Sequence, residues 1–161
     1  MELTKESVLY AKCFCQKAYV TLKGPPPRAH YCHCNMCQII HGAPFALVAI
    51  YPKHQVVLPD NHLELFDTFE PKKNLIIHRC KECGVPLFSW TGNYDVWGVY
   101  VSAAITHQGK QVKTRDFPAF EGVCHIFYEE RQRDVKYSLR WVLLMLGMGL
   151  RSGWICLAGA N

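Results

Sequence analysis

Cysteines fall into three tight clusters, and this grouping constrains the fold more than any other feature of the sequence. The clusters are Cys13-x-Cys15, Cys32-x-Cys34-x-x-Cys37 and Cys80-x-x-Cys83. Cysteines one or two residues apart are poorly placed to form a disulfide with each other, but they can point both sulfurs at one metal ion. Zn²⁺ prefers four such ligands in a tetrahedron. The seven clustered thiols therefore divide most simply into a closed site of four ligands and a site of three ligands with a free coordination position.

Length and composition indicate one folded domain with reduced cysteines. The chain has 161 residues, of which 50% are hydrophobic, so it can bury a core. Residues 1–10 mix charges and contain no apolar run, so they do not resemble a secretory signal. Without a secretory route the cysteines are expected to stay reduced, which predicts metal ligands in a cytoplasmic protein.

The net charge of +5 does not indicate a nucleic-acid partner. Residues 135–161 contain Lys136, Arg140 and Arg151 and no acidic residue, which accounts for +3 of this charge. Elsewhere basic residues are scattered among acids, whereas a nucleic-acid footprint needs a concentrated basic face. We therefore expect the chain to have no nucleic-acid partner.

Short apolar segments bounded by turn residues predict a mainly β architecture with little helix. The predicted strands are rich in β-branched and aromatic residues, and they lie in 7–23 (two strands with a metal knuckle between them), 45–51, 56–58, 63–69, 75–78, 86–90, 96–102 and 125–129. A short helix is predicted from an N-cap at Asn35 to His41, with Gly42 as its stop. The polar stretch 106–122 is predicted to be a loop beside the site.

After a predicted domain of residues 1–136, the sequence 137–161 forms an atypical apolar tail. Its apolar run 141–150 ends at Arg151 and is about half the ~20 residues needed to cross a bilayer. Glycines at the end of this run weaken any helix there, including one lying on a membrane surface. We expect the tail to pack on the sheet or fray, and we expect no membrane partner.

The cysteine clusters and their flanking residues resemble the glutathione-dependent formaldehyde-activating enzyme family, which includes centromere protein V. The matching segments are Cys13-x-Cys15, CHCNMCQIIHGAPFALVAIYP at 32–52, CKECGVPLFS at 80–89 and HIFYEERQRDV at 125–135. The resemblance covers residues 7–136, and the ordered triplet of cysteine motifs is highly specific. The tail departs from the segment with which the family usually continues near its site.

The resemblance implies a zinc-bound β-tent of two antiparallel sheets with two zinc sites. The implied ligands of a structural zinc are Cys13, Cys15, Cys80 and Cys83. The implied ligands of a second, exposed zinc associated with activity are Cys32, Cys34 and Cys37. The spacing of the cysteines does not by itself show which clusters share an ion. The implied activity is the condensation of glutathione with formaldehyde to S-(hydroxymethyl)glutathione, a carbon–sulfur lyase or synthase reaction.

Three thiolates on Zn²⁺ leave a net negative complex, which is a poorer Lewis acid toward water than a site of three histidines. The free position suits a substrate thiol instead, because coordination favours the thiolate near neutral pH. A thiolate can attack an aldehyde to give a hemithioacetal. The predicted partners are therefore a small glutathione-like thiol and an aldehyde, or their adduct. The sequence carries no feature that sets an oligomeric state.

Histidines near the central cluster leave alternatives open. A fourth protein ligand, for which His30, His33 and His41 are candidates, would close the site and make it purely structural. His33 lies between two ligands and is better placed for hydrogen bonding than for ligation. His125 is a candidate proton shuttle for the hydroxymethyl oxygen, although a strand histidine with satisfied hydrogen bonds fits its position equally well.

Two further functions are compatible with the same residues. The open zinc would also suit another lyase, or a condensing enzyme that acts on an imine or thioether metabolite. Alternatively, the domain is a non-catalytic, zinc-stabilised binding module. A basic extension would favour the binding module, and residues 1–134 contain none.

Overall fold

Short strands make up most of the part of the chain that the computed structural model describes, which is residues 3–92, 94–101, 104–111, 120, 124–132 and 154–156. These strands are β1 (Val8–Lys12), β2 (Tyr19–Lys23), β3 (Arg28–Cys32), β4 (Ala46–Pro52), β5 (Val56–Val57), β6 (Phe66–Lys72), β7 (Leu75–Cys80), β8 (Pro86–Thr91), β9 (Val96–Tyr100), β10 (Ala104–His107), β11 (Lys110–Gln111), β12 (Cys124–Ile126) and β13 (Trp154–Cys156). The helical elements are α1 (Asn35–His41), α2 (His62–Leu65) and 3-10 turns at Lys53–Gln55 and Tyr128–Glu130.

The strands form two sheets, which confirms the predicted mainly β fold class. The smaller sheet has the order β11-β10-β1-β2-β5, and the larger has the order β13-β12-β3-β4-β9-β8-β7-β6. Among the described strands, neighbours run antiparallel except for β3 and β12, which pair in parallel with Cys32 opposite Ile126. The larger sheet is therefore mixed at this one position.

The main core lies between the two sheets. Alternation along β1 and β2 buries Leu9, Ala11, Val20 and Leu22 completely, and these side chains meet a core cluster that includes Phe88 of the larger sheet. Successive residues of a strand point to opposite faces, so half of each apolar strand faces this core.

The opposite face of the larger sheet carries a second apolar cluster. In β4, Ala49 and Tyr51 belong to the core between the sheets, whereas Val48 packs with Ile77 and Ile126 on the other face. Such two-sided burial explains why β4 is almost continuously apolar instead of alternating with polar residues. The second face forms the wall of the cavity described below.

The helical segments differ from the sequence prediction in two places. Helix α1 is capped by Cys34, whose sulfur accepts a hydrogen bond from the Cys37 N–H, so the prediction of Asn35 as the N-cap is wrong by one residue. Gly42 ends this helix in the left-handed conformation, as expected. Residues 63–65 belong to α2 and not to a strand, because the turn after Pro59 continues into one helical turn before β6 begins.

The late elements are only partly as predicted. Strands β10 and β11 form a hairpin that begins at Ala104 and extends into the stretch 106–122, which was expected to be a loop. Residues 112–119 and 121–123 lie outside the described residues. The strand expected over 125–129 stops at Ile126, since Phe127 adopts a left-handed φ of 53°. In the tail, β13 pairs with β12; the rest of the tail is outside the described residues, and the domain boundary at residue 136 stays a prediction.

The described helices are too short and too polar for any of them to cross a bilayer.

Gly24 occupies a position that excludes a side chain, and Gly24→Ala is expected to destabilise the fold. Its φ is +73°, and an added Cβ would lie 3.1 Å from the Lys5 carbonyl oxygen. Gly109 is a matched control because its φ is +74° and nothing lies within 4 Å of its Cβ position. We expect Gly109→Ala to cost about 1 kcal/mol for the left-handed backbone, and Gly24→Ala to cost about 1 kcal/mol more for the contact. Equal losses in chemical denaturation would contradict this.

Candidate metal centres and the adjoining cavity

The first and third cysteine clusters come together in space. The Sγ atoms of Cys13, Cys15, Cys80 and Cys83 all lie within 4.8 Å of one another. Cys15 Sγ is 3.4 Å from Cys13 Sγ and 3.6 Å from Cys80 Sγ. A zinc tetrahedron with Zn–S bonds of about 2.3 Å places its sulfurs about 3.8 Å apart. The four-thiol group therefore fits a closed zinc site.

Two tight turns position these four sulfurs. Between β1 and β2, the Cys13 N–H bonds the Ala18 carbonyl while the Ala18 N–H donates to Cys13 Sγ at 3.2 Å. Between β7 and β8, the Gly84 N–H donates to the Cys80 carbonyl at 2.9 Å, and Gly84 has a φ of +70°. A glycine suits this left-handed position. Each turn thus presents a pair of cysteines to the other sheet.

The two most buried thiols of the four-thiol group favour a cation beside them. Burial raises the pKa of Cys13 to about 12 and also raises the pKa of Cys80. These thiols would ionise in the folded chain only beside a compensating positive charge. Zn²⁺ supplies that charge and is the usual partner of four thiolates.

The central cluster forms a separate group of three sulfurs at the junction of β3 and α1. The Sγ atoms of Cys32, Cys34 and Cys37 lie within 4.8 Å of one another, and Cys32 Sγ is 3.5 Å from Cys34 Sγ. The Cys37 N–H donates to Cys34 Sγ at 3.3 Å. Side-chain hydrogen bonds with Cys32 and Cys37 lower the pKa of Cys34, whereas side-chain hydrogen bonds with Cys32 and Cys34 raise the pKa of Cys37. The group is thus arranged as three ligands around one position.

Within the described part of the chain, no histidine joins this group of three. His33 is fully buried, and its Nε2 lies 2.8 Å from Nδ1 of His125. His41 packs edge-on against Tyr100, with ring centroids 4.3 Å apart, and its buried Nε2 has no hydrogen-bond partner among the described residues. Of the three candidate fourth ligands, His30 and His41 line the adjoining cavity instead.

His125 lies apart from that cavity. It alternates along β12 with Cys124 and Ile126, which pack in the second apolar cluster, and adjacent strand residues point to opposite faces. Its ring stacks on Tyr31 at 4.9 Å and contacts His33. His125 is therefore not among the described residues that line the cavity, and its assignment as a proton shuttle stays a prediction.

The three-cysteine group borders two spaces. The inner space is a cavity of about 330 Å³ against the second face of the larger sheet. The outer space is a more open groove of about 610 Å³ beside α1. Residues that line both spaces are Cys34, Met36, Ile40, Lys72 and Phe127. The three-thiol group thus lies where the two spaces meet.

Sequence reasoning missed Glu130 in the outer groove and the polar groups of the inner cavity. Glu130 is held by the Asn35 N–H, which donates to its carboxylate at 2.8 Å, and by Gln38, which donates to its carbonyl at 2.8 Å. These contacts cross more than ninety residues of sequence, so spacing gives no sign of them. The cavity wall could have been predicted from β4, because its nearly continuous apolar sequence indicates a strand that is buried on both faces.

Comparison with known proteins assigns the family. A profile of the glutathione-dependent formaldehyde-activating enzyme family matches residues 8–129. The chain belongs to this family. The match covers the three cysteine clusters, both sheets through β12 and the residues that line the inner cavity.

Relatives within the family share part of their length with this chain. A protein of Aspergillus terreus named "Putative glutathione-dependent formaldehyde-activating enzyme" is 36% identical over 84 residues, which is 50% of this chain and 41% of the relative. A protein of the same name from Pyrenophora teres f. teres is 37% identical over 86 residues, which is 52% of this chain and 44% of the relative. The matched region thus spans less than half of these relatives.

One solved structure is also similar. A crystal structure of a Rhodobacter sphaeroides protein aligns with a TM-score of 0.49 at 19% identity, over 66% of this chain and 93% of that one.

Proposed function

We propose that the chain is a zinc-dependent carbon–sulfur lyase or synthase of the cytoplasm that joins a glutathione-type thiol to formaldehyde. The observation that carries the proposal is the three-thiol group, which has no fourth protein ligand among the described residues and opens onto a cavity. Family membership supports the same reaction. The four-thiol group would hold a structural zinc, so the proposed protein contains one zinc in each cysteine group.

Different residues around the three-thiol group would bind different groups of the substrate thiol. A zinc ion held by Cys32, Cys34 and Cys37 would supply a Lewis acid with a free position, which favours the thiolate form of a substrate thiol. Lys72 is exposed at the rim of both spaces, so its ammonium can pair with a substrate carboxylate. Glu130, fixed by the Asn35 N–H, can pair with a substrate ammonium in the outer groove.

The reaction balances without an oxidant. The thiol sulfur forms a bond to the carbonyl carbon, the carbonyl π pair moves to oxygen, and the thiol proton ends on that oxygen. His41 lines the cavity and has a buried, unpartnered Nε2. We assign to this nitrogen the hydrogen bond to the carbonyl or hydroxymethyl oxygen. His125 takes a positioning role, because it contacts the ring of His33, which lies between two of the cysteine ligands.

The test is zinc analysis combined with nuclear magnetic resonance exchange spectroscopy on glutathione and formaldehyde. We expect two zinc ions per chain, one for each cysteine group, and faster formation of S-(hydroxymethyl)glutathione than in buffer with free zinc. Lys72→Ala should raise KM for glutathione about tenfold through loss of a charge pair. Lys53→Ala, which alters a lysine in a 3-10 turn away from the described cavity lining, should leave KM unchanged. Two bound zinc ions without acceleration would instead favour another substrate or the non-catalytic binding module.

A further inference from the structure

The inner cavity is too large for formaldehyde, and its walls are apolar. Its volume of about 330 Å³ falls in the range of pockets that hold ligands of many atoms. Val48, Ile77 and Ile126 are at most 6% exposed and form its wall together with Ile50. A one-carbon aldehyde would leave most of this apolar surface in contact with water or empty.

Besides the cysteines and two lysines, the polar side chains that line the cavity are His30, His41, Ser89, Thr91 and Tyr100. Tyr100 and Ser89 are both buried. The charged side chains among the described lining residues are Lys72 and Lys73, and both are exposed at the rim. The interior therefore offers mainly apolar contact with a few uncharged polar groups, and it is poorly suited to the carboxylates and ammonium of a peptide thiol.

The outer groove is also lined mostly by apolar residues, but its rim carries opposite charges. Lys72 and Glu130 place a cation and an anion on its rim, and Cys34 lines both spaces. A zwitterionic thiol fits this groove, with its sulfur directed to the three-thiol group. The thiol in the outer groove and the aldehyde in the inner cavity would then approach the three-thiol group from different sides.

From this division we propose that the carbonyl substrate is an aliphatic aldehyde longer than formaldehyde, with its alkyl chain in the inner cavity. The inference rests on the proposed reaction of a zinc-activated thiol with an aldehyde, and it replaces formaldehyde as the second substrate with a longer aldehyde. The product is the hemithioacetal of a zwitterionic thiol and an alkyl aldehyde, formed by the bond changes given above. Each buried methylene should improve apparent affinity about fourfold.

The experiment compares formaldehyde and hexanal as substrates of the zinc-loaded protein at saturating glutathione. We expect kcat/KM to be at least about tenfold higher for hexanal, since its added methylenes bury apolar surface. Ile50→Phe fills the cavity and should lower the ratio of hexanal to formaldehyde activity about tenfold. Val57→Phe, on exposed β5 of the other sheet, should keep the wild-type ratio. Equal or better activity with formaldehyde would overturn the inference and leave the proposed function standing.

A binding measurement separates the two proposals when no turnover is seen. Hexanol is an unreactive mimic of the alkyl aldehyde, and calorimetry on the zinc-loaded wild-type protein measures its affinity without any reaction. Binding that Ile50→Phe weakens and Val57→Phe preserves would support the alkyl site, even if glutathione proved to be the wrong thiol. Absence of hexanol binding would overturn the inference.

Discussion

Replacement of Cys80 by serine is expected to unfold most of the chain at room temperature. Cys80 is 1% exposed and belongs to the four-thiol group, which joins the β1–β2 turn of one sheet to the β7–β8 turn of the other. Binding free energies of structural zinc sites are about 10–16 kcal/mol, whereas whole domains are stable by only about 5–15 kcal/mol. Loss of one of four thiolates therefore removes a large share of the total stability.

Thermal melting followed by circular dichroism, together with zinc analysis, measures this effect. Cys124→Ser is the matched control, since Cys124 is also buried but lies outside both cysteine groups. We expect the control to melt cooperatively with a lower midpoint and to keep both zinc ions. Retention of a cooperative transition near the wild-type midpoint in Cys80→Ser would show that this group does not hold the sheets together.

Replacement of Cys34 by serine is expected to abolish activity while leaving the chain folded. Cys34 is both a member of the three-thiol group and the N-cap of α1. Serine is a favoured N-cap residue, so its hydroxyl can keep the hydrogen bond with the Cys37 N–H. The substitution thus removes the metal ligand and retains the cap.

The expected result is the loss of one zinc ion per chain, a fall in activity of at least about a thousandfold, and a melting midpoint within a few degrees of wild type. Cys34→Ala removes the ligand and the cap together and should melt lower, by about 1 kcal/mol of stability. If Cys34→Ser and Cys80→Ser lost stability equally, the division into a catalytic and a structural group would be wrong.

Local patterns predicted the strands well and the contacts between distant segments poorly. The β1–β2 hairpin around Cys13-x-Cys15 and the helix stop at Gly42 follow from residue types within a few positions, and both are confirmed. The pairing of the cysteine clusters required the family resemblance, because spacing does not show which sulfurs meet. The structure groups the first cluster with the third, in agreement with that resemblance.

The errors have physical causes. Asn35 is a good capping residue by type, but the thiol of Cys34 already accepts the first free N–H of α1. The contact between His125 and His33 was likewise not predictable, because it depends on the parallel pairing of β12 with β3. Side-chain direction on such a strand depends on a pairing across the whole chain, which a local pattern does not contain.

The three-thiol group and one wall of the inner cavity come from separate segments of the chain, which can therefore evolve separately. The cysteines of the three-thiol group lie within six residues, from the last residue of β3 into α1. The wall at Ile126 and Phe127 comes instead from a segment more than eighty residues away, through the parallel pairing of β12 with β3. Substitutions in that distant segment can reshape the space for a substrate without moving a ligand. Evolution can therefore change the substrate specificity of the protein while residues 32–37 keep their sequence.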